Sequence, residues 1–151
     1  MDKNNDAIQL TKQLTFPLYA CSRELIKLYK PFLDELDLTY TQYITMLVLW
    51  ERKSVTAKAL GNCLYLDSGT LTPLLKKLEE KGLVTRRRSE EDERNLIVTI
   101  TPEGADLKDR SVVIPFHIGD CPILDPEEAE TLYRLLRKVL TAKGKHLRET
   151  E

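Results

Sequence analysis

Cysteine is scarce and badly spaced for chemistry: Cys21, Cys63 and Cys121 are an odd number, far apart, and build neither a disulfide framework nor a CxxC metal knuckle within one chain. The two histidines, His117 and His146, have no HExxH or HxxxH partner. A glycine-rich phosphate loop and a GxSxG elbow are missing too, so the sequence reads as that of a non-enzyme with no cofactor and no metal site. An excess of one charge is also lacking. With 23 Lys and Arg against 24 Asp and Glu, the net charge is −1, and any nucleic-acid binding must come from local placement of basic side chains. Long apolar runs do not occur. The longest uncharged stretch, around Tyr40 to Trp50, falls short of the ~20 residues of a membrane span, and the N-terminus has no signal-peptide pattern, so no membrane partner and a cytoplasmic location are expected. What is present suits folding: 151 residues, 42% hydrophobic and 31% charged, are about one domain with enough apolar matter for a core.

Apolar residues at Leu14, Leu18, Cys21, Leu25, Leu28 and Phe32 recur every three or four positions and predict a long amphipathic helix, with Pro17 in its first turn and Pro31 bending or ending it. A second helix, capped by Thr39 or Thr41, should turn Tyr43, Met46, Leu47 and Trp50 inward. After Ser54–Thr56, a short helix with Ala57, Leu60 and Leu64 and a second one from Asp67 to Lys81 read as helix–turn–helix, stopped at Gly82. Leu83–Arg88 and Asn95–Thr101 have strand composition around a polar turn, a β-hairpin. A helix then runs to about Val113, His117–Asp125 is a connecting loop, and a final helix opens at Pro126 with the stripe Leu132, Leu135, Leu136, Val139 and Leu140. The predicted fold is mainly α with a small β-hairpin: one domain over residues 1–151, a winged helix–turn–helix at 40–101 flanked by helices at 8–36 and 105–147. Terminal stripes too large for one small core are expected to intertwine with a second copy, making a homodimer.

On a helical wheel, Leu71, Leu74, Leu75 and Leu78 fall in one arc, and Ser68, Gly69, Thr70, Thr72, Pro73, Lys76 and Lys77 in the other. Small residues and hydroxyls suit close approach to a major groove and lysines neutralise phosphate, although a plain solvated helix shows similar residues. The hairpin weighs against that bland reading. Arg86, Arg87 and Arg88 lead into its turn and Arg94 leaves it, on an element sized to reach a minor groove. Glu90, Glu91, Asp92 and Glu93 oppose phosphate at the same tip; Asp92 is expected to orient Arg94, with the other acids neutralising Arg86–Arg88 or facing water.

The run Leu60–Gly–Asn–Cys–Leu–Tyr–Leu–Asp–Ser–Gly–Thr–Leu–Thr–Pro–Leu–Leu–Lys–Lys–Leu–Glu79, with Gly82–Leu–Val and Glu91–Asp–Glu–Arg94, resembles the MarR family of bacterial transcriptional regulators, specifically its organic hydroperoxide-sensing branch, over roughly residues 10 to 115. The resemblance implies a homodimer on a pseudo-palindromic double-stranded DNA operator, with the helix from Asp67 in the major groove and Arg94 in the minor groove. Together with the wheel and the hairpin, this gives Ser68, Gly69, Thr70, Thr72, Lys76, Lys77, Arg86, Arg88, Asp92 and Arg94 as the expected DNA-binding residues. The resemblance also implies a sensor pocket between subunits, matched here by Thr15, Tyr19, Tyr29 and Tyr40, and repression of an oxidative stress response.

One position departs from that pattern. The family's reactive cysteine is matched by Thr15, whose hydroxyl has no accessible anion at neutral pH and cannot form a sulfenate. Cys21 is six residues on, ~9 Å along a helix and about −120° around it. Cys121 resembles the position of a resolving cysteine, and Cys63 reads as a small buried hydrophobe. Three readings of Thr15 stand: a substitution that holds a peroxide sensor in its reduced-like form, a branch using Cys21 or Cys121, or a pocket for a small aromatic or lipid-like effector without redox chemistry. A thiol peroxidase acting through Cys21, and a winged helix used only for protein contacts, are the readings from other classes.

Overall fold

In the computed structural model, the structure describes residues 9–112, 114 and 123–148, with side chains as far as residue 142. The expected connecting loop and Cys121 lie mostly or wholly outside the described residues. Two compact units are formed, Met1–Ile114 and Pro115–Glu151.

The first unit opens with a short 3-10 turn, Leu10–Lys12, and helix α1, Thr15–Glu35. Of the two effects expected of Pro31, bending or ending the helix, it does not end α1. It lies on the exposed side, where the Lys27 carbonyl that loses its N–H donor can be hydrated. The helix stops instead at a Schellman turn: Leu38 N–H donates to Leu33 O at 3.0 Å and Asp37 N–H to Asp34 O at 3.1 Å, with Asp37 at φ 54° where glycine is usual. Arg110 adds a hydrogen bond to the Glu35 carbonyl at 3.0 Å.

Helix α2, Tyr40–Arg52, starts with a capping box in which Thr39 and Gln42 serve each other's backbone N–H. Its buried face differs from the expected one. Leu47 is 43% exposed, while Leu49, Gln42 and Thr45 are buried with Tyr43, Met46 and Trp50. The polar pair can be buried because each is satisfied locally, Gln42 in the capping box and Thr45 by donating to the Thr41 carbonyl at 2.8 Å. An apolar-only count therefore places the inward arc too far round the helix.

Strand β1, Ser54–Thr56, follows, then helices α3, Ala57–Leu64, and α4, Ser68–Glu80. Strands β2, Val84–Arg88, and β3, Leu96–Ile100, make the expected hairpin, with Val84 opposite Ile100 and Arg88 opposite Leu96. β1 extends it to a three-stranded antiparallel sheet of order β1-β3-β2, Ser54 facing Thr99 and Thr56 facing Ile97. Three residues carry too little alternation to announce a strand; the open edge of β3 recruits them. Helix α5, Pro102–Ser111, closes the unit, capped by Thr101, whose hydroxyl accepts the Gly104 N–H at 3.0 Å and donates to the Gly82 carbonyl at 2.6 Å.

Met46, Leu49, Leu60, Leu75, Leu78, Val84, Val98 and Ile114 are fully buried, so the core lies beneath the helix–turn–helix and the sheet. Trp50 joins it to α5 by donating from Nε1 to the Gly104 carbonyl at 2.8 Å.

In the second unit, helix α6 spans Pro126–Arg148, with Asp125 and Glu128 exchanging backbone hydrogen bonds at its start, a reciprocal cap. Its residues Leu132, Leu135, Leu136, Val139 and Leu140 are all exposed within the chain. So are Leu14, at 72%, Leu18, Leu25 and Leu28 of α1. No described helix is long and apolar enough to cross a membrane.

Candidate nucleic-acid interface

Helix α4 is positioned from both ends. At its start, Asp67 Oδ1 accepts the Thr70 N–H at 2.8 Å, satisfying one of the otherwise unbonded N–H groups of the first turn. At its end, Gly82 takes φ 74° and the Leu83 N–H returns to the Leu78 carbonyl at 3.0 Å, which turns the chain sharply into β2. Lys81 also donates to the Asp37 carbonyl and pairs with its carboxylate at 3.2 Å, tying this end to the α1–α2 turn.

The four leucines Leu71, Leu74, Leu75 and Leu78 are buried, and Ser68, Gly69, Thr70, Thr72, Pro73, Lys76 and Lys77 are exposed together on the other side. Pro73 leaves the Gly69 carbonyl without an intrahelical donor, and the helix nevertheless runs unbroken, with that carbonyl on the exposed side where water can serve it. Thr72 turns its hydroxyl back to the Ser68 carbonyl at 2.8 Å. Beside this face, a cleft of about 350 Å³ runs between α3, the start of α4 and β3, lined in part by Lys58, Asn62, Ser68 and Thr72. Lys58 and Asn62 escaped the sequence reading. The signal available for Lys58 was its place in the first turn of the leading helix of the pair, the helix that crosses the backbone in such motifs.

At the tip of the hairpin, Asp92 organises the turn. Its Oδ1 accepts the Arg94 main-chain N–H at 3.1 Å and the Arg94 Nε at 3.1 Å, leaving the Arg94 side chain 91% exposed yet directed. Glu90, Glu91 and Glu93 face solvent. They do not neutralise Arg86. Its partner is Glu79 of α4, a residue given no role from the sequence: Arg86 donates its main-chain N–H to Glu79 Oε2 at 2.9 Å, and Nη2 and Nε to Oε1 at 3.1 and 3.3 Å. The Arg86 hydrogen bonds hold the Glu79 carboxyl below the ordinary carboxylate range, so this pair is lost only as pH falls well into the acid. Arg88 reaches the Glu93 carbonyl at 3.4 Å, and Arg87 is exposed on the opposite face of β2.

The four residues matched to a sensor pocket are not gathered within one chain. Thr15 opens α1 and is exposed, whereas Tyr29 lies fourteen residues on, about 21 Å of helix rise away. Tyr19 is 58% exposed and contacts Arg23, whose guanidinium sits 5.5 Å from the ring centroid. Tyr29 and Tyr40 do meet, edge to face at 5.1 Å, and Tyr43, read only as a core residue, joins them at 6.0 and 6.4 Å. Burial, and then the neighbouring Tyr29, push the Tyr40 and Tyr43 phenols above their usual value. Cys21 is exposed. Cys63 is exposed as well, not buried, because α3 turns only Leu60 and Gly61 to the core.

Residues 27–111 match the family described as transcriptional regulator SarA/Rot. The chain is 54% identical over 141 residues to the organic hydroperoxide resistance transcriptional regulator of Bacillus subtilis, covering 93% of this chain and 94% of that one. It belongs to the SarA/Rot regulators, a MarR-type winged-helix family. Among solved SarA/Rot-like and MarR-like structures, reduced AbfR bound to DNA superposes with a TM-score of 0.73 at 34% identity, covering 92% of this chain and 97% of AbfR. A cysteine-to-serine variant of MarR from Escherichia coli, complexed with operator DNA, gives 0.77 at 26% identity over 93% and 99% of the two chains. These likenesses show the winged-helix fold for this chain.

Proposed function

We propose that this SarA/Rot-family chain is a homodimeric, sequence-specific DNA-binding regulator, a repressor in an organic-peroxide or oxidative stress response, acting in the cytoplasm and without enzymatic turnover. The observation that carries the reading is the pairing of an exposed, non-apolar α4 face with an Arg94 that Asp92 aims from the wing tip. Ser68, Gly69, Thr70, Thr72, Lys76 and Lys77 enter the major groove of each half of a pseudo-palindromic operator, and Arg94 enters the adjacent minor groove. Residues 40–101 read DNA, while 8–36 and 105–147 hold two copies together through the exposed stripes of α1 and α6. The DNA-bound relatives and the hydroperoxide-resistance relative support this reading.

A sequence selected from random duplexes supplies the operator for titration. Arg94→Ala should weaken binding to it by about 1–3 kcal/mol, a loss of roughly 5- to 150-fold, and binding should fall steeply with added salt as the release of phosphate counterions becomes less favourable. Unaltered affinity in Arg94→Ala would remove the wing from the interface.

Regulation turns on Thr15. The separation of Thr15 from Tyr29 within a chain means that a pocket holding both requires the partner copy. Operator binding should survive cumene hydroperoxide in the native chain and be released by it in Thr15→Cys, since only a thiolate is converted to a sulfenate. Release in both chains assigns sensing to another thiol, Cys21, Cys63 or Cys121; release in neither favours a small aromatic or lipid-like effector bound without redox chemistry.

A further inference from the structure

The Glu79–Arg86 pair does more than satisfy two charges. β2 is an edge strand, and the Arg86 N–H points away from β3, where nothing in the sheet can accept it. Glu79 fills that need with one carboxylate oxygen and grips the guanidinium of the same residue with the other. The pair is part-sheltered, the Arg86 side chain being 22% exposed. Between Glu79 and Arg86 the chain makes its tight turn through Gly82, and the base of the hairpin is held there by the buried Val84 and Val98, by the pairing of β3 with β1 and by Thr101 on the Gly82 carbonyl. Beyond that base, the outer half of β2 has β3 alone beside it in the sheet. The carboxylate braces this outer half against α4, and it draws Arg86 away from the tip where Arg94 projects.

Building on the DNA-binding reading above, we propose that Glu79 and Arg86 are positioning residues that set the angle between reading helix and wing, so that α4 and Arg94 reach neighbouring grooves of one duplex together. Arg86 accordingly acts through Glu79 and is withdrawn from the set of direct DNA contacts.

The test is a double-mutant cycle on the selected operator, using Glu79→Gln, Arg94→Ala and both together, with Arg86→Lys as the conservative variant. Glu79→Gln should keep the far-ultraviolet spectrum and a melting point within a few degrees of the parent, yet bind operator about 5- to 10-fold more weakly. Adding Arg94→Ala to it should then cost less than 3-fold, because a wing that is no longer aimed has little left to lose. Arg86→Lys, which keeps the charge and the main-chain N–H but not the fork, should fall between parent and Glu79→Gln. Equal Arg94→Ala losses in the two backgrounds would overturn the proposal. A parent chain insensitive to Arg94→Ala would instead overturn the wing contact beneath it. A readout without DNA separates these: spin labels at Lys77 and Glu91, in a chain whose three native cysteines are serine, should give a broader distance distribution after Glu79→Gln, and an unchanged one contradicts the clamp.

Discussion

Gly104→Ala is expected to lower the melting temperature by about 6–12 °C, the equivalent of about 3 kcal/mol in a chain of this size. A Cβ at this position would stand 2.9 Å from the Ile100 Cγ1 and closer still to the Leu83 carbonyl oxygen, which is backbone and cannot rotate aside. The helix cannot slide away from the clash either. Its Gly104 carbonyl is held by Trp50 Nε1 at 2.8 Å and its first turn by Thr101, which also binds the Gly82 carbonyl. Any relief would have to move α5 off the sheet or disturb the turn that launches the wing. Gly69→Ala is the matched control. Its Cβ meets only the Asp67 Oδ1 at 3.3 Å in an exposed helix, where alanine's propensity compensates, so its stability should stay within about 1 kcal/mol of the parent. Thermal unfolding followed by circular dichroism compares the two, and equal midpoints for Gly104→Ala and parent would refute the packing argument.

The second large effect concerns association. Leu132 and Val139 lie two turns apart on α6, both exposed, within a stripe continued by Leu135, Leu136 and Leu140. An apolar face of this length has no reason to remain wet in a stable particle. Leu132→Asp combined with Val139→Asp should give one chain per particle by sedimentation, with the helix content retained. The operator affinity should fall by on the order of 100-fold or more, because two linked reading heads gain 10²–10⁴ in avidity that a lone head forfeits. Two chains per particle in this variant would mean that α6 does not carry the contact.

The parts of this molecule that were legible in the sequence are those encoded locally. Leucines at helical spacing from Leu71 to Leu78, Asp67 as a cap and Gly82 as a stop define α4 without reference to the rest of the chain, and the structure follows all three. Asp92 and Arg94 are two residues apart, so their pairing is also a local matter. What escaped depends on contacts between distant segments. Glu79 meets Arg86 only because a Schellman turn folds β2 back along α4, and β1 becomes a strand only because β3 offers an edge. Leu47 faces outward because two satisfied polar side chains share the buried arc of α2, and Pro31 does not end α1 because solvent can serve the carbonyl it orphans. The aromatic cluster was half visible: Tyr29 and Tyr40 meet, and Tyr43 completes a group that no spacing rule within one helix could assemble.

Two joints, one ahead of the helix–turn–helix and one inside its turn, hold bulky residues where glycine would rest more easily: Lys53, at φ 65° and ψ −45°, and Tyr65, at φ 55° and ψ 37°. Each carries about 1–3 kcal/mol of backbone strain that surrounding bonds, such as Ile100 N–H to the Lys53 carbonyl at 2.9 Å, keep in place. The scaffold thus runs below the durability its own architecture permits. A hardier version for crystallising long duplexes can begin at Lys53, a site remote in sequence from every side chain assigned to groove or stripe.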